Sequence, residues 1–239
     1  VVAALSATLG AMVGLGGGVF MVPIFSAFLG VPIKTAIAAS GLAVIVGSMG
    51  SATVYLQHRM VNLRLALVLL IATTLGAIGG ALLVATAPAT ILRAAFALAL
   101  YAMIVLMSLR RASAQPVTTG PDRLGLRSSF YDPAVGGTVQ YVPQLVGIGA
   151  LSSTVAGFMS GLLGIGGGVV QVPLMNVLMR VPVKAAAATS TYMIGVTVVG
   201  SALLYYANDL LVPRVAVPAV LGVFLGAQVG SHLGRHVHG

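Results

Sequence analysis

Long, uninterrupted apolar segments are the feature that most restricts how this chain of 239 residues can fold. Each has the roughly 20 apolar residues that one membrane crossing requires, and the six segments begin near residues 32, 62, 88, 141, 182 and 215. Only 6% of the residues are charged, whereas a water-soluble domain has about a quarter. Strands of a membrane β-barrel alternate apolar and polar residues, and these segments do not. The sequence therefore predicts an all-α polytopic membrane protein.

Two copies of one sequence pattern make up most of the chain. Shifted by 150 residues, 14–80 aligns without a gap with 164–230, and 24 of the 67 pairs are identical. The identical pairs include Lys34 and Lys184, the only two lysines of the chain. Internal repeats of this kind are common in membrane transporters. We therefore expect two homologous transmembrane repeats.

A polar stretch separates the two copies. We expect a first repeat at 1–109, an exposed polar linker at 110–140 and a second repeat at 141–239, whose last helix is missing or truncated. If each copy crosses the membrane an even number of times, the Lys and Arg residues divide seven to five between the two sides, and an odd number gives nine to three. Because positive residues concentrate on the cytoplasmic side, the second division is favoured. It predicts inverted repeats and a cytoplasmic linker.

A glycine-rich motif interrupts both copies, as GLGGGVFMVP at 14–23 and GIGGGVVQVP at 164–173. Clustered glycines and a proline break a helix, and the short apolar run that follows each motif resembles half a transmembrane helix. Lipid cannot satisfy the freed backbone groups, so the break must be buried in protein or line a wet cavity. A helix that begins after Gly18 or Gly168 would offer free N–H groups and a positive dipole end. Such an end suits an anion without any charged side chain.

Other functions of the glycines are less well supported. A dinucleotide-binding fingerprint needs a glycine at Val19, and a Walker loop needs Lys followed by Ser or Thr. Close packing of small residues explains separated glycines such as Gly76 and Gly80. It does not explain three consecutive glycines followed by a proline. A broken transporter helix is the favoured interpretation.

The duplicated motif resembles that of the TauE/SafE family of sulfite exporter-like membrane proteins. The stretches GLGGGVFMVP…VPIKTAIAAS and GIGGGVVQVP…VPVKAAAATS are similar to the family pattern, particularly at Ala188, Thr189 and Ser190. The resemblance implies a secondary transporter in the bacterial inner membrane that exports sulfite, an organosulfonate or a related oxyanion. It also implies alternating access around paired broken helices, and a channel-like anion pore is the alternative. The first copy departs from the pattern at Ala39, where the second has Thr189.

The candidate substrate-binding groups are the motif residues and nearby polar side chains. The hydroxyls of Ser40, Thr189 and Ser190 could donate to an oxyanion or bond back to their own helices. An amide at Gln171, inside an apolar half-helix, is costly without a partner, and its counterpart is Met21. The candidate set is Gly16, Gly17, Gly18, Pro23, Ser40, Gly166, Gly167, Gly168, Gln171, Pro173, Thr189 and Ser190.

Several classes of function are disfavoured by the residues available. The chain has no Cys, and only His232 and His236 have a spacing that suits a helix-borne metal site, so we predict neither a metal nor a cofactor. The basic residues form no run, which argues against nucleic-acid binding. An intramembrane serine hydrolase would need a base near Ser160 or Ser190, and no His lies in the middle of an apolar segment. We therefore predict that the chain is not an enzyme.

The acidic residues limit how transport could be coupled to an ion. The three of them, Asp122, Asp132 and Asp209, all lie outside the apolar segments. Proton-driven carriers often relay protons through a carboxylate in the membrane. A coupled proton would therefore travel on the substrate or through a histidine, and a uniporter is equally consistent. The expected partners are a small anion and the lipid bilayer, and the oligomeric state is left open.

Overall fold

The computed structural model describes residues 2–13, 18–108, 124–132 and 136–234. Within these ranges the chain forms α-helices, one π-helical turn and a two-stranded hairpin. In chain order the elements are α1 (Val2–Val13), α2 (Gly18–Pro23), the π-helical turn (Ile24–Phe28), α3 (Ile33–Gln57), α4 (Leu63–Thr86), α5 (Ala89–Ser108), β1 (Ser128–Asp132), β2 (Gly137–Tyr141), α6 (Val146–Leu163), α7 (Gly168–Val177), α8 (Val183–Ala207) and α9 (Pro213–Gly234).

Four of the described helices, α3, α4, α6 and α8, are long and apolar enough to cross a membrane. A helix of 25 residues such as α3 is about 37 Å long, more than the hydrocarbon core of about 30 Å. Large apolar side chains project outward from α4 at successive turns, with Ile71 70% exposed and Leu75 65% exposed. Such a surface is stable against lipid and not against water. The prediction of a helical, membrane-embedded protein is confirmed.

The linker contains a structured hairpin that the sequence did not predict. Strands β1 and β2 pair antiparallel, with Ser128 opposite Tyr141. Phe130 and Asp132 are buried, and the Phe130 ring meets Tyr141 edge to face at a centroid distance of 6.4 Å. Burial raises the pKa of the Tyr141 phenol. The hairpin adds a small β element to a fold that is otherwise helical.

Helices α3 and α8 pack together at the centre of the fold and run antiparallel. Towards the C-terminal end of α3, Tyr55 belongs to the same buried cluster as Ala188, which lies near the start of α8. Nearer the start of α3, a Cβ on Gly41 would lie 3.2 Å from the ring of Tyr205, near the end of α8. The corresponding ends of these two equivalent helices therefore lie on opposite sides of the molecule.

The outer helices of each copy pack against the other copy. Helix α4 contacts α6 and α8, and α9 contacts α1 and α3. The contacts repeat at the 150-residue offset: Ser201 donates to the carbonyl oxygen of Ala77 at 3.2 Å, and Ser51 donates to that of Ala227 at 3.5 Å. The two copies are thus interlocked by two equivalent sets of contacts.

Small residues allow these helices to approach closely. A Cβ on Gly76 would collide with the carbonyl oxygen of Thr154, and one on Gly226 would collide with that of Ala4. These are equivalent contacts in the α4–α6 and α9–α1 pairs. Gly80 meets the backbone of α6 in the same way. The packing predicted for Gly76 and Gly80 is therefore observed.

Candidate functional site

The second glycine motif ends one helix and starts the next. The N–H of Gly164 closes α6 by donating to the carbonyl oxygen of Ser160 at 2.9 Å. Gly164, Gly166 and Gly167 have φ angles of 65°, 83° and 72°, a region that residues with a Cβ rarely adopt. Helix α7 then begins at Gly168. The link between α6 and α7 therefore requires glycine at three positions of the motif.

The first turn of α7 contains backbone donors without partners in the helix. The N–H groups of Val170 and Gln171 donate to the carbonyl oxygen of Gly167, at 3.1 and 2.9 Å. Those of Gly168 and Val169 precede the first acceptor that helix geometry provides. The positive end of the helix dipole lies at the same place. This end of α7 favours negative charge.

A small cavity lies beside this break, between α4, α6, α7 and α8. About 10 Å³ is available to the centre of a water-sized sphere, which is room for about one water molecule. We call it the second-copy cavity. The described residues that line it are uncharged, and they are Thr73, Ala156, Gly157, Ser160, Gly166, Gly167, Gln171, Ser190, Met193, Ile194 and Thr197.

Three polar atoms of this lining are buried without a hydrogen-bond partner in the described part of the chain. They are the Oγ atoms of Ser160 and Ser190 and the Oε1 atom of Gln171. These residues are only 1%, 0% and 4% exposed. An unsatisfied buried polar group costs about 1–3 kcal/mol. A water molecule or another polar guest in this cavity would complete the hydrogen bonding of these groups.

Hydrogen bonds to neighbouring helices hold the polar lining in position. The Gln171 Nε2 atom donates to the Oγ of Ser153 on α6 at 2.9 Å. The Thr73 and Thr197 hydroxyls, on α4 and α8, lie 3.0 Å apart. The cavity is therefore built by helices of both copies, although most of its residues come from the second.

The break of the first copy touches the break of the second. Gly18, the first residue of α2, is buried, and a Cβ there would lie 2.7 Å from the carbonyl oxygen of Gly164. The Ser40 hydroxyl donates to that same oxygen at 2.9 Å and lies 3.4 Å from the carbonyl oxygen of Gly18. Ser40 thus joins the backbones of the two breaks.

Four of the candidate residues predicted from the sequence line the second-copy cavity: Gly166, Gly167, Gln171 and Ser190. Gly168 follows directly as the first residue of α7. These five residues form one continuous part of the structure, made by the motif and the facing turn of α8.

The remaining candidates lie elsewhere. Gly16 and Gly17 fall outside the described residues. Pro23 ends α2 where the π-helical turn begins, and Pro173 is buried inside α7. Thr189 accepts a hydrogen bond of 3.0 Å from the backbone N–H of the residue that precedes α4. This hydrogen bond therefore links α8 to the start of α4.

Sequence reasoning missed three polar residues at the site, Thr73, Ser153 and Thr197, and considered Ser160 only as a hydrolase nucleophile. All four are buried. Each has an apolar counterpart 150 residues away in the other copy. A search for positions that are polar in one copy and apolar in the other could have found them.

The two lysines lie at the outer ends of their helices. Lys184 Nζ lies 2.8 Å from Oδ1 of Asp132, on the linker hairpin. Lys34 Nζ donates to the carbonyl oxygen of Ala85 at 3.0 Å, where a cation complements the C-terminal end of α4. Each lysine thus fastens the start of its helix to a neighbouring element.

The whole sequence is matched by a protein-family model. The model of the sulfite exporter TauE/SafE family matches residues 1–239. The chain belongs to this family. The chain is also similar to the probable membrane transporter protein YunE of Bacillus subtilis. The two are 27% identical over 238 residues, which cover 97% of this chain and 85% of YunE.

A second TauE/SafE relative comes from an archaeon. The probable membrane transporter protein MJ0441 of Methanocaldococcus jannaschii is 27% identical over 203 residues, which cover 82% of this chain and 67% of that protein. No solved structure matches the chain. Membership confirms the resemblance drawn from the duplicated glycine motif, and both relatives are named as membrane transporters without a substrate.

Proposed function

We propose that the chain is a secondary transporter that exports a small sulfur-containing oxyanion, sulfite or an organosulfonate, by alternating access around the paired broken helices. The observation that carries the proposal is the pair of buried hydroxyls, on Ser160 and Ser190, that line one cavity and have no partner among the described residues. The hydroxyls and the free N–H groups at the start of α7 are donors of the kind that oxyanions need. Family membership supports the sulfur-containing class.

The uncharged lining favours a singly charged substrate. The cost of removing an ion from water rises steeply with its charge and is recovered only through paired groups. Hydroxyl, amide and backbone dipoles can stabilise one negative charge, whereas a dianion would call for a cationic side chain. Bisulfite and alkylsulfonates are therefore preferred over sulfate.

The size of the cavity favours a carrier over a permanently open pore. Space for about one water molecule is too small for an oxyanion, so α4, α6, α7 or α8 must move before a substrate fits. Hydrolysis at Ser160 or Ser190 would require a His, Lys or carboxylate base, and the described lining residues are uncharged. Transport by a moving protein is the better account.

We infer that the two copies have inverted topology in the cell membrane, with the linker cytoplasmic. The antiparallel packing of α3 against α8 supports this arrangement, since these helices are equivalent in sequence. The contact between Lys184 and the linker hairpin agrees with the nine-to-three division of positive residues. An inside-negative potential favours anion export by about 2.3 kcal/mol per charge per 100 mV.

Flux in proteoliposomes tests the proposal. We expect efflux of sulfite and methanesulfonate, slow efflux of sulfate, and acceleration of labelled efflux by the same unlabelled anion on the opposite side. Such exchange is a property of carriers, so conductance without it would support the channel-like pore. The proposal fails if the purified protein moves none of the three anions.

A matched pair of variants connects the flux to the site. Gln171→Met places the residue of the first copy in the second-copy cavity and should lower flux by about tenfold or more, because it removes the amide. Gln57→Met changes an exposed amide at the end of α3 and should leave flux within about twofold. An equal loss of flux in both variants would show that transport does not depend on the second-copy cavity.

A further inference from the structure

A second small cavity lies in the other half of the molecule and partly overlaps the equivalent position. We call it the first-copy cavity, and its described lining residues are Ala7, Gly47, Ser48, Ser51, Thr191, Val223 and Ala227. Ala7, Gly47 and Val223 are the counterparts, 150 residues away, of residues that line the second-copy cavity. The two cavities are therefore related by the internal duplication.

The threonine pair of the second-copy cavity is replaced by an apolar contact in the first. Thr73 and Thr197 lie 3.0 Å apart at their hydroxyls. Their counterparts are Val223 and Gly47, and a Cβ on Gly47 would collide with a methyl group of Val223. Valine thus fills the space that the missing side chain leaves, and the polar pair has become a packing contact.

The amide and its support are replaced together. Gln171, which donates to Ser153, has Met21 as its counterpart, and Ser153 has Ala3. Met21 is fully buried and Ala3 is 7% exposed. Because a lone Gln or a lone Ser here would lose its partner, the joint replacement removes the whole polar group without leaving an unsatisfied atom.

The polar groups that remain in the first-copy cavity already have partners. The hydroxyls of Ser48, Ser51 and Thr191 bond to backbone carbonyl oxygens at 3.0, 3.5 and 2.8 Å. Residues 14–17 of this copy are Gly or Leu, so they bring no polar side chain. In the second-copy cavity, by contrast, the hydroxyls of Ser160 and Ser190 have no partner among the described residues.

From this asymmetry we propose that each chain binds one anion, in the second-copy cavity, and that the first-copy cavity has lost its ligands and serves only for packing. This inference rests on the proposed function, since it takes the oxyanion as the guest. Two equivalent breaks would by themselves suggest two equivalent sites. The hydroxyls that remain available to bind an anion lie in the second-copy cavity.

Equilibrium binding of sulfite and of methanesulfonate to the detergent-solubilised full chain tests the inference. We expect saturation at one anion per chain. Ser160→Ala and Ser190→Ala should each weaken binding by about tenfold or more with no loss of thermal stability, since neither hydroxyl has a partner in the described part of the chain. Ser48→Ala and Thr191→Val are the matched controls in the first-copy cavity and should leave affinity within about twofold.

The outcomes separate this inference from the proposed function. Two anions per chain, or equal weakening by the variants of both cavities, would overturn the single-site inference and leave anion transport intact. Failure of the unaltered protein to bind either anion would instead overturn the proposed function and the inference with it. Loss of binding accompanied by a lower Tm in Ser160→Ala and Ser190→Ala would assign those hydroxyls to structure and also overturn the inference.

Discussion

The hydroxyl of Ser40 donates a hydrogen bond of 2.9 Å to the carbonyl oxygen of Gly164, 124 residues further along the chain. It therefore links a long helix of the first copy to the residue at which the second copy breaks. Because Gly164 has a left-handed backbone, its carbonyl leaves the direction of α6 and needs a hydrogen-bond donor from outside that helix. The first copy thus stabilises the break of the second.

We predict that Ser40→Ala lowers the stability of the folded protein. The substitution would leave the buried Gly164 carbonyl without its donor, at a cost of about 1–3 kcal/mol. The expected result is a lower Tm in detergent. Thr53→Ala is a suitable control, because Thr53 is exposed and bonds only to its own helix at Gly50, and its Tm should change little. Equal Tm values for the two variants would contradict the prediction.

Close packing of α4 on α6 gives a second prediction. A Cβ on Gly161 would collide with the carbonyl oxygen of Ala77, so Gly161→Ala must push the helices apart and should cost about 1–3 kcal/mol. The measurement is the yield and Tm of purified protein. Gly147→Ala, on the same helix with nothing within 4 Å of the added Cβ, should behave like the unaltered chain. A normal Tm for Gly161→Ala would show that the helices are not in close contact.

Membrane topology can be tested at one pair of equivalent positions. His58 and Asn208 follow the ends of α3 and α8, and both are exposed. The chain has no Cys, so His58→Cys and Asn208→Cys each create a unique thiol. Inverted repeats predict that an impermeant maleimide labels only position 208 in intact cells. Labelling of both positions to the same extent would contradict the inverted topology.

The pH dependence of transport should follow the substrate. The described lining of the second-copy cavity contains no titratable side chain, so the protein should bind anions equally well across the neutral range. Sulfite flux should fall as pH rises, because bisulfite loses its proton and becomes a dianion. Methanesulfonate stays singly charged, and its flux should be constant. A parallel fall for both anions would indicate a titrating group of the protein.

The ion pair between Lys184 and Asp132 should contribute modestly to stability. The two side chains are 22% and 11% exposed, so solvent screens the pair in part, and a coupling of about 1 kcal/mol or less is expected. A double-mutant cycle with Lys184→Gln and Asp132→Asn measures it through the free energy of unfolding. Additive effects of the two substitutions would show that the pair contributes nothing.

The sequence was sufficient to predict the long apolar helices and the position of the break in the second copy. Clustered glycines followed by a proline indicate a broken helix, and the positive φ angles of Gly164, Gly166 and Gly167 give the physical reason. Gln171 could be singled out because an amide in an apolar segment requires a partner, whereas the sequence left the Ser190 hydroxyl free to bond its own helix.

The sequence could not show which hydroxyls lack partners. A Ser or Thr in a membrane helix bonds equally well to its own backbone, as Thr191 does. Only the packing of α4 against α8 brings Thr73 to Thr197. Burial of Phe130, a residue of β1, likewise depends on helices that are distant in sequence, and the five-residue strands are too short to give a clear pattern.

The interlocking of the copies has a consequence for their origin. Because α1 packs on α9 and α6 packs on α4, a single copy made alone would expose the faces that the other copy covers. An unfused ancestor would therefore have been an obligate dimer, with assembly governed by its concentration in the membrane. Fusion of two such copies into one chain would remove that dependence. It would also release each half from the need to be identical, which permits a difference such as Met21 in one half and Gln171 in the other.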